Sequence, residues 1–205
     1  MDAAFIYLAS QSPRRAELLR QLGLRFQAVQ VAVDETAQTG EDPAACARRL
    51  ATAKAEAALR ILGSGIREPI LAADTLVTAD GVTLGKPADR AEGLAMLMHL
   101  SGRGHQVLSA IALWRGGAMH TALSVSEVRF RVIAPEEAAR YWQSGEPADK
   151  AGGYAIQGRG AQFIERLEGS YSGVMGLPLY ETAQLLAQAG FRTLSGDNAS
   201  EAARK

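Results

Sequence analysis

The amino-acid sequence predicts an α/β protein. Short apolar runs typical of buried strands alternate along the chain with segments whose apolar residues recur at helical spacing. The 205 residues are 47% hydrophobic, which is ample for a sizeable core. No internal repeat or low-complexity linker divides them. We therefore expect one domain, or a single domain with an elaborated lobe, followed by a flexible polar tail over residues 194–205.

Charge and cysteine content exclude several classes of protein. Lys plus Arg and Asp plus Glu both number 22, so the formal net charge is +0 and a general nucleic-acid or membrane surface is not expected. Cys46 is the single cysteine, which excludes an intrachain disulfide and suits a reducing cytoplasm. No stretch approaches the ~18 to 20 apolar residues of a membrane span, and the start does not resemble a signal peptide. We expect a cytoplasmic protein.

The first strand and helix predict an anion site. Residues 5–9 are typical of a short buried strand, Ser12 suits a helix N-cap, and Pro13 suits the first helical position. Arg14 and Arg15 then fall in the first helical turn, where the helix dipole disfavours cations. Two guanidinium groups beside free backbone N–H groups match the oxygens of a phosphate. The commoner alternative for surface arginines is that both face solvent or pair with acids elsewhere.

The second predicted strand is followed by a helix that carries a lysine on its inward face. Residues 26–33 resemble a strand that ends at a polar stretch containing Glu35. A long Ala-rich helix follows over residues 43–62, with Asp42 as its N-cap. Lys54 falls on the apolar side of that helix. Either the Lys54 ammonium takes part in a functional site, or its aliphatic chain packs against the core while the ammonium stays in water. The helical pattern does not distinguish these two alternatives.

The sequence of the next strand predicts an acidic residue with a functional role. An apolar run over residues 70–73 ends at Asp74-Thr75 and resumes with Leu76-Val77, which predicts a central strand that carries an acid at or near its functional end. A hairpin over residues 79–84 then delivers Gly85-Lys86-Pro87. This segment is not a P-loop, because only three residues separate its glycines and Pro87 replaces the required Ser or Thr. Lys86 either reaches a phosphate or is an exposed loop lysine.

The remaining sequence predicts strands and helices around one shaped loop. Helices are expected over residues 88–100, 135–143 and 178–189, and strands over 106–114, 122–133 and 161–167. The glycine-rich segment at 149–160 contains Gln157 and is typical of a functional loop. The three histidines do not have the spacing of a metal site, and Cys46 is expected to be a small buried residue.

Two sets of charged residues point to phosphate chemistry. Cations bind a polyphosphate, whereas carboxylates hold a hydrated Mg²⁺ or orient a water for attack on phosphorus. The cationic set is Arg14, Arg15, Lys54 and Lys86, and the carboxylate set is Glu35 and Asp74.

Several motifs in fixed order resemble one known family, the Maf-like nucleoside triphosphate pyrophosphatases. They are SQSPRRAELL at 10–19, DET at 34–36, AADT at 72–75, GKP at 85–87, SGRGHQV at 101–107, and DKAGGYAIQGRGAQFIERLEGSYSGVMGLPL at 149–179. The resemblance implies an elongated mixed β-sheet flanked by helices, similar to inosine triphosphatases. It also implies one domain over residues 1–190 with two lobes around a cleft, a divalent cation, Mg²⁺ or Mn²⁺, as cofactor, and a homodimer.

The resemblance also implies roles for individual residues. Asp74 matches the proton acceptor of the family, and Glu35 matches its partner in metal binding. Positions linked to substrate choice are matched by Arg14, Thr75 and Gln157. Phosphate-contacting positions are matched by Ser10, Arg15, Lys54 and Lys86. Whether Asp74 acts as a base or chiefly as a metal ligand stays open. The amide of Gln157 suits the imide edge of thymine or uracil, and its alternative role is to brace the loop.

The implied reaction is hydrolysis of dTTP and UTP, and of modified pyrimidine triphosphates, to the monophosphate and pyrophosphate, which cleans the nucleotide pool. The substrate is a nucleoside triphosphate, and no stable nucleic-acid partner or membrane is expected. One alternative is a pyrophosphatase for 7-methyl-GTP or another non-canonical triphosphate. Another is a nucleotide-binding regulator of cell division and septum formation.

Overall fold

The computed structural model describes residues 5–63, 65–191 and 193, so the tail predicted over 194–205 lies outside the described residues. The strands within this part are β1 (Phe5–Ala9), β2 (Arg25–Ala28), β3 (Ile70–Ala79), β4 (Val82–Leu84), β5 (Gly104–Arg115), β6 (Ala118–Phe130) and β7 (Ile164–Glu168). The α-helices are α1 (Pro13–Gln21), α2 (Pro43–Leu62), α3 (Arg90–Leu100), α4 (Pro135–Gln143), α5 (Tyr171–Met175) and α6 (Leu179–Gln188). None of these helices is both long and apolar enough to span a membrane.

One mixed sheet of seven strands connects the described elements. Its order is β2-β1-β3-β5-β6-β7, and β4 pairs with β3 beside this path. The pairs β1–β2 and β1–β3 are parallel, and the others are antiparallel. The parallel pairs need long connections, which α1 and α2 supply, whereas Gly116 and Gly117 close the β5–β6 hairpin with positive φ angles of 58° and 88°. The predicted mixed α/β sheet flanked by helices is confirmed. The division of residues 1–190 into two lobes stays a prediction.

The pairing of β3 leaves a gap in the sheet. On one edge, β5 pairs with β3 continuously from Ile70 to Thr78. On the other edge, β1 pairs with residues 70–72 and β4 pairs with residues 77–79. The backbone edge of residues 73–76 therefore faces neither strand, and a cleft opens there. Crevices at such changes of strand direction are favoured sites for ligands in α/β folds.

Small side chains let α2 approach the sheet closely. Ala47, Ala51, Ala55 and Ala58 recur along one helical face, are fully buried, and belong to the same core cluster as alanines of β3 and β5. Asp42 caps this helix as predicted, because its carboxylate accepts a hydrogen bond from the backbone N–H three residues later at 3.0 Å. Because α2 packs closely against the sheet, a long side chain on this face reaches the floor of the cleft.

Other apolar side chains form two further core clusters. Leucines of α1 and α6 pack against β1, β3 and β5, and a second group surrounds Phe130 and Phe163 under α3 and α4. Cys46 is buried with 2% of its surface exposed, as the sequence predicted. His105 is also buried and lies in contact distance of Tyr154, with 2.8 Å between the ring Nε2 and the phenol oxygen.

Several element boundaries differ from the sequence-based predictions, and β6, expected over 122–133, covers Ala118–Phe130. The strand expected over 26–33 ends at Ala28, because β2 is an edge strand and the chain leaves the sheet once β1 turns into α1. The strand expected over 161–167 begins at Ile164, after a 3₁₀ turn. The short helix α5 was not predicted from the sequence, and Ser170 caps it by accepting a hydrogen bond from the N–H of Gly173 at 2.9 Å. A helix of five residues is too short for periodicity to reveal.

Candidate active site

All the predicted site residues meet in one cleft at the gap in β3. The cleft has a volume of about 710 Å³, which is within the range of about 300–1,000 Å³ usual for small-molecule sites. Its walls come from the β1–α1 turn, α2, β3, the hairpin that ends in β4, and the segment after α4. The predicted residues in its lining are Ser10, Arg14, Arg15, Glu35, Lys54, Asp74, Thr75, Lys86 and Gln157.

Arg15 is held firmly at the start of α1. Its Nε donates to the carbonyl oxygen of Gly176 at 2.8 Å, and its two terminal nitrogens lie 3.3 Å from the hydroxyl oxygens of Ser10 and Thr75. Burial lowers the pKa of the guanidinium from its ordinary value, while the nearby Asp74 carboxylate opposes that change. The predicted arginine is therefore fixed beside the backbone N–H groups of the first helical turn, with its charge directed into the cleft.

Lys54 joins the two predicted carboxylates. Its Nζ lies 2.6 Å from Oδ1 of Asp74 and 2.5 Å from Oε1 of Glu35. The side chains of Lys54 and Asp74 are 11% and 9% exposed, whereas that of Glu35 is 49% exposed. Burial raises the pKa of Glu35, but the hydrogen bond and charge of Lys54, with the charges of Lys86 and Arg15, outweigh it and lower that pKa overall. The Lys54 ammonium is thus buried and paired with both carboxylates. Of the two alternatives that the sequence left open, it lies in the site and does not extend into water.

The carboxylate pair fits a hydrated Mg²⁺ better than a protein-only metal cage. Among the described residues, no group of three or more His, Cys, Asp or Glu side chains is placed to hold an ion. Glu35 and Asp74 offer hard oxygen donors on either side of the Lys54 ammonium. Mg²⁺ is commonly held by one or two carboxylates, with substrate phosphates and water as its other ligands. The donor set therefore fits the expected cofactor, provided that the ammonium shifts.

The remaining predicted residues lie around the rim. Arg14 forms an ion pair with Asp149, with 3.2 Å between Nη1 and Oδ2, and their side chains are 26% and 65% exposed. Lys86 and Gln157 are exposed on the cleft wall. The Arg14–Asp149 ion pair is exposed, so it contributes little to stability.

Comparison with known proteins identifies the family of this chain. The family model described as "Maf-like protein" matches residues 5–189. The chain belongs to the Maf-like family. The dTTP/UTP pyrophosphatase of Burkholderia pseudomallei (strain 1710b) is 54% identical over 195 residues, which cover 90% of this chain and 93% of that protein. The dTTP/UTP pyrophosphatase of Chromobacterium violaceum is 50% identical over 188 residues, covering 91% and 95%.

Among solved structures, this Maf-like chain resembles the Ham1 protein of Staphylococcus aureus more distantly. The TM-score is 0.41 and the sequence identity 15%, over 62% of this chain and 71% of that one.

Sequence reasoning missed one polar residue packed behind this Maf-like cleft and two in its lining. Ser109, fully buried on β5, lies 2.9 Å from the hydroxyl of Thr75, which lines the cleft, and donates to the carbonyl oxygen of Gly173 at 2.6 Å. Lys150 and Tyr154 line the cleft itself. A serine inside the apolar run of β5 was the available signal for Ser109. The other two residues stand in the glycine-rich segment, where only the folded loop shows which side chains face inward.

Proposed function

We propose that this Maf-like protein is a nucleoside triphosphate pyrophosphatase that hydrolyses dTTP and UTP to the monophosphate and pyrophosphate. The observation that carries the proposal is the meeting of phosphate-binding cations with a buried, lysine-paired carboxylate in one cleft. The relatives at 54% and 50% identity, both named dTTP/UTP pyrophosphatases, support the choice of pyrimidine substrates.

In the proposed mechanism, the start of α1 binds the phosphate chain. Arg14 and Arg15 offer guanidinium donors there, the Ser10 hydroxyl lies beside Arg15, and Lys86 also lines the cleft. These groups neutralise charge on the phosphate oxygens and hold them still, which lowers the barrier to attack at phosphorus. The cleft thus positions the triphosphate before any bond breaks.

Asp74 is the residue that we assign to accept the proton from the attacking water. Lys54 engages its Oδ1, and Oδ2 is the oxygen that we assign to the water. The water attacks the α-phosphorus, the bond to the bridging oxygen breaks, and pyrophosphate leaves. Glu35 and Asp74 are the residues that would hold a divalent cation. When bound, that cation supplies further neutralisation of the phosphate charge.

A panel of triphosphates tests this function directly. Purified protein is incubated with each nucleotide and Mg²⁺, Mn²⁺ or EDTA, and pyrophosphate release is measured. We expect dTTP and UTP to turn over fastest and EDTA to abolish turnover. Faster turnover of 7-methyl-GTP or a non-canonical purine triphosphate would replace the substrate assignment. Tight dTTP binding without hydrolysis in either metal would favour the regulatory alternative.

A substitution at Asp74 tests its assignment as the proton acceptor. Asp74→Asn keeps the size of the side chain but removes the base, so kcat should fall by about 10²- to 10⁴-fold while dTTP still binds. Asp80→Asn is the matched control, because Asp80 is an exposed turn residue paired with Arg103 away from the cleft. Turnover of Asp74→Asn close to that of the wild type would exclude the role. Cytoplasmic location and a homodimer stay predictions.

A further inference from the structure

Glu146 gathers hydrogen bonds from the segment that follows it. Its Oε1 accepts from the phenol of Tyr141 at 2.6 Å and from the N–H of Gly160 at 3.0 Å. Its Oε2 accepts from the N–H of Arg159 at 2.9 Å. Three donors on one carboxylate make strong, charge-assisted bonds. Burial raises the pKa of Glu146, but these donors outweigh it and lower the pKa, so the side chain is ionised near neutral pH.

Tyr141 extends this arrangement to the other end of the loop. The side chain belongs to α4 and is only 4% exposed. While its hydroxyl donates to Glu146, the same oxygen accepts from the N–H of Ala155 at 3.1 Å. The Tyr141–Glu146 pair therefore holds the backbone at Ala155 and at Arg159. These positions lie two residues before and two residues after Gln157, which lines the cleft.

Two glycines in the sequence permit the close contact between the Tyr141–Glu146 pair and the loop backbone. Neither Gly158 nor Gly160 is among the glycines with positive φ, so backbone conformation does not require them. A Cβ at Gly160 would lie 2.7 Å from the Tyr141 phenol oxygen, and a Cβ at Gly158 would overlap the Glu146 carboxylate. At Gly158 the glycine is needed because Glu146 approaches the backbone closely, and at Gly160 because both Tyr141 and the backbone of Ala155 do so.

We infer that Tyr141 and Glu146 are positioning residues that fix Gln157 on the cleft wall and thereby determine how strongly the enzyme binds a pyrimidine base. This inference rests on the proposed function, in which Gln157 contacts the base. The pair acts through the loop backbone, and Gln157 makes the contact. Since the phosphate-binding residues lie on other elements, the pair acts on the base end of the substrate alone.

The test compares substrates with and without a base. Tyr141→Phe removes the shared hydroxyl, and Glu146→Gln replaces one accepting oxygen with an amide NH₂ that faces backbone donors. For each variant, kcat and KM are measured with dTTP, and inorganic tripolyphosphate is titrated as a competitive inhibitor. We expect KM for dTTP to rise about tenfold, the factor of one lost hydrogen bond, with kcat and the tripolyphosphate inhibition constant within about twofold of wild type.

A double variant separates positioning from general destabilisation. Gln157→Ala should raise KM for dTTP by a similar factor, and Tyr141→Phe combined with Gln157→Ala should raise it no further. Additive effects of about a hundredfold would overturn the inference, because the two residues would then act independently. Equal weakening of dTTP and tripolyphosphate would also overturn it, as would an unchanged KM for dTTP in both single variants.

Matched controls remove the same groups elsewhere. Tyr180→Phe deletes a hydroxyl from a side chain that is 71% exposed. Glu137→Gln breaks a comparable carboxylate arrangement at the start of α4, where Glu137 pairs with Arg131. Both should keep the KM of wild type. If the wild-type protein hydrolyses no triphosphate, the proposed function fails. Calorimetric binding of dTTP and of tripolyphosphate to the same variants then decides the inference separately.

Discussion

Replacing Lys54 by methionine tests the buried charge arrangement of the cleft. The change keeps a long unbranched side chain and removes only the ammonium, which lies 2.6 Å from Asp74 and 2.5 Å from Glu35. Glu35 is about half exposed and can recover its hydration, so its lost ion pair costs little. Asp74 is 9% exposed and is left without its closest cation. The cost of the substitution is therefore concentrated on one buried carboxylate.

The magnitude follows from that burial. Removing one partner of a buried ion pair costs about 3–5 kcal/mol, because the other charge stays buried without compensation. Arg15 lies near enough to attract Asp74, so we expect a loss near the lower limit, about 3 kcal/mol. Urea unfolding at pH 7 measures the free energy of unfolding. Lys86→Met is the matched control, since an exposed lysine should contribute less than about 0.5 kcal/mol.

A double variant identifies the origin of the loss. In Lys54→Met combined with Asp74→Asn no buried carboxylate is left unpaired, so the protein should recover most of the lost stability. The reasoning is refuted if Lys54→Met unfolds within about 1 kcal/mol of wild type, the range of an exposed pair. It is also refuted if the double variant is less stable than Lys54→Met alone.

Two further predictions concern the core. Burial lowers the pKa of His105 to about 4 from its ordinary 6.5, so the folded chain disfavours the protonated form and stability should fall as the pH drops from 6.5 towards 4. Between pH 7 and 5 this residue should account for about 2 kcal/mol, and urea titrations should show His105→Gln with that much less pH dependence. Gly93→Ala should destabilise the protein by about 1–3 kcal/mol, although alanine is the better helix former, because its Cβ would overlap the Trp142 ring. The same alanine should be harmless beside Trp142→Leu, and a stabilised single variant would contradict the packing.

Local signals in the sequence were sufficient for most of the elements and for the membership of the site. The helices α1, α2 and α4 begin at the prolines that the sequence predicted, although Ser12 makes no side-chain capping bond to α1, and all the predicted site residues line one cleft. These features depend on neighbours in the chain, on helical spacing, and on motifs that the family resemblance supplied. Their proposed chemical roles stay predictions.

Contacts distant in sequence could not be predicted in the same way. The ion pair between Lys54 and Asp74 joins residues 20 apart, and the bond from Arg15 to Gly176 joins residues 161 apart. Helical spacing predicted that Lys54 lies on the inward face, but it did not predict whether an acidic side chain pairs with the lysine there. The glycines at 158 and 160 were visible in the sequence, yet their cause is a side chain from another segment. Such approaches are properties of the packed fold, for which a single sequence carries no direct signal.

The gap in the sheet explains how an acid in the middle of a strand serves a cleft. Asp74 was expected near a strand end, whereas β3 continues for five residues beyond it. Successive side chains of a strand point to opposite faces, so Asp74 meets Lys54 of α2 while Thr75 meets Arg15 on the other face. In a continuous sheet, backbone hydrogen bonding to a neighbouring strand would separate these two groups. Because β1 stops at Ala9 and pairing with β4 resumes at Val77, both faces open into one space, and cations from two different helices line the same cleft.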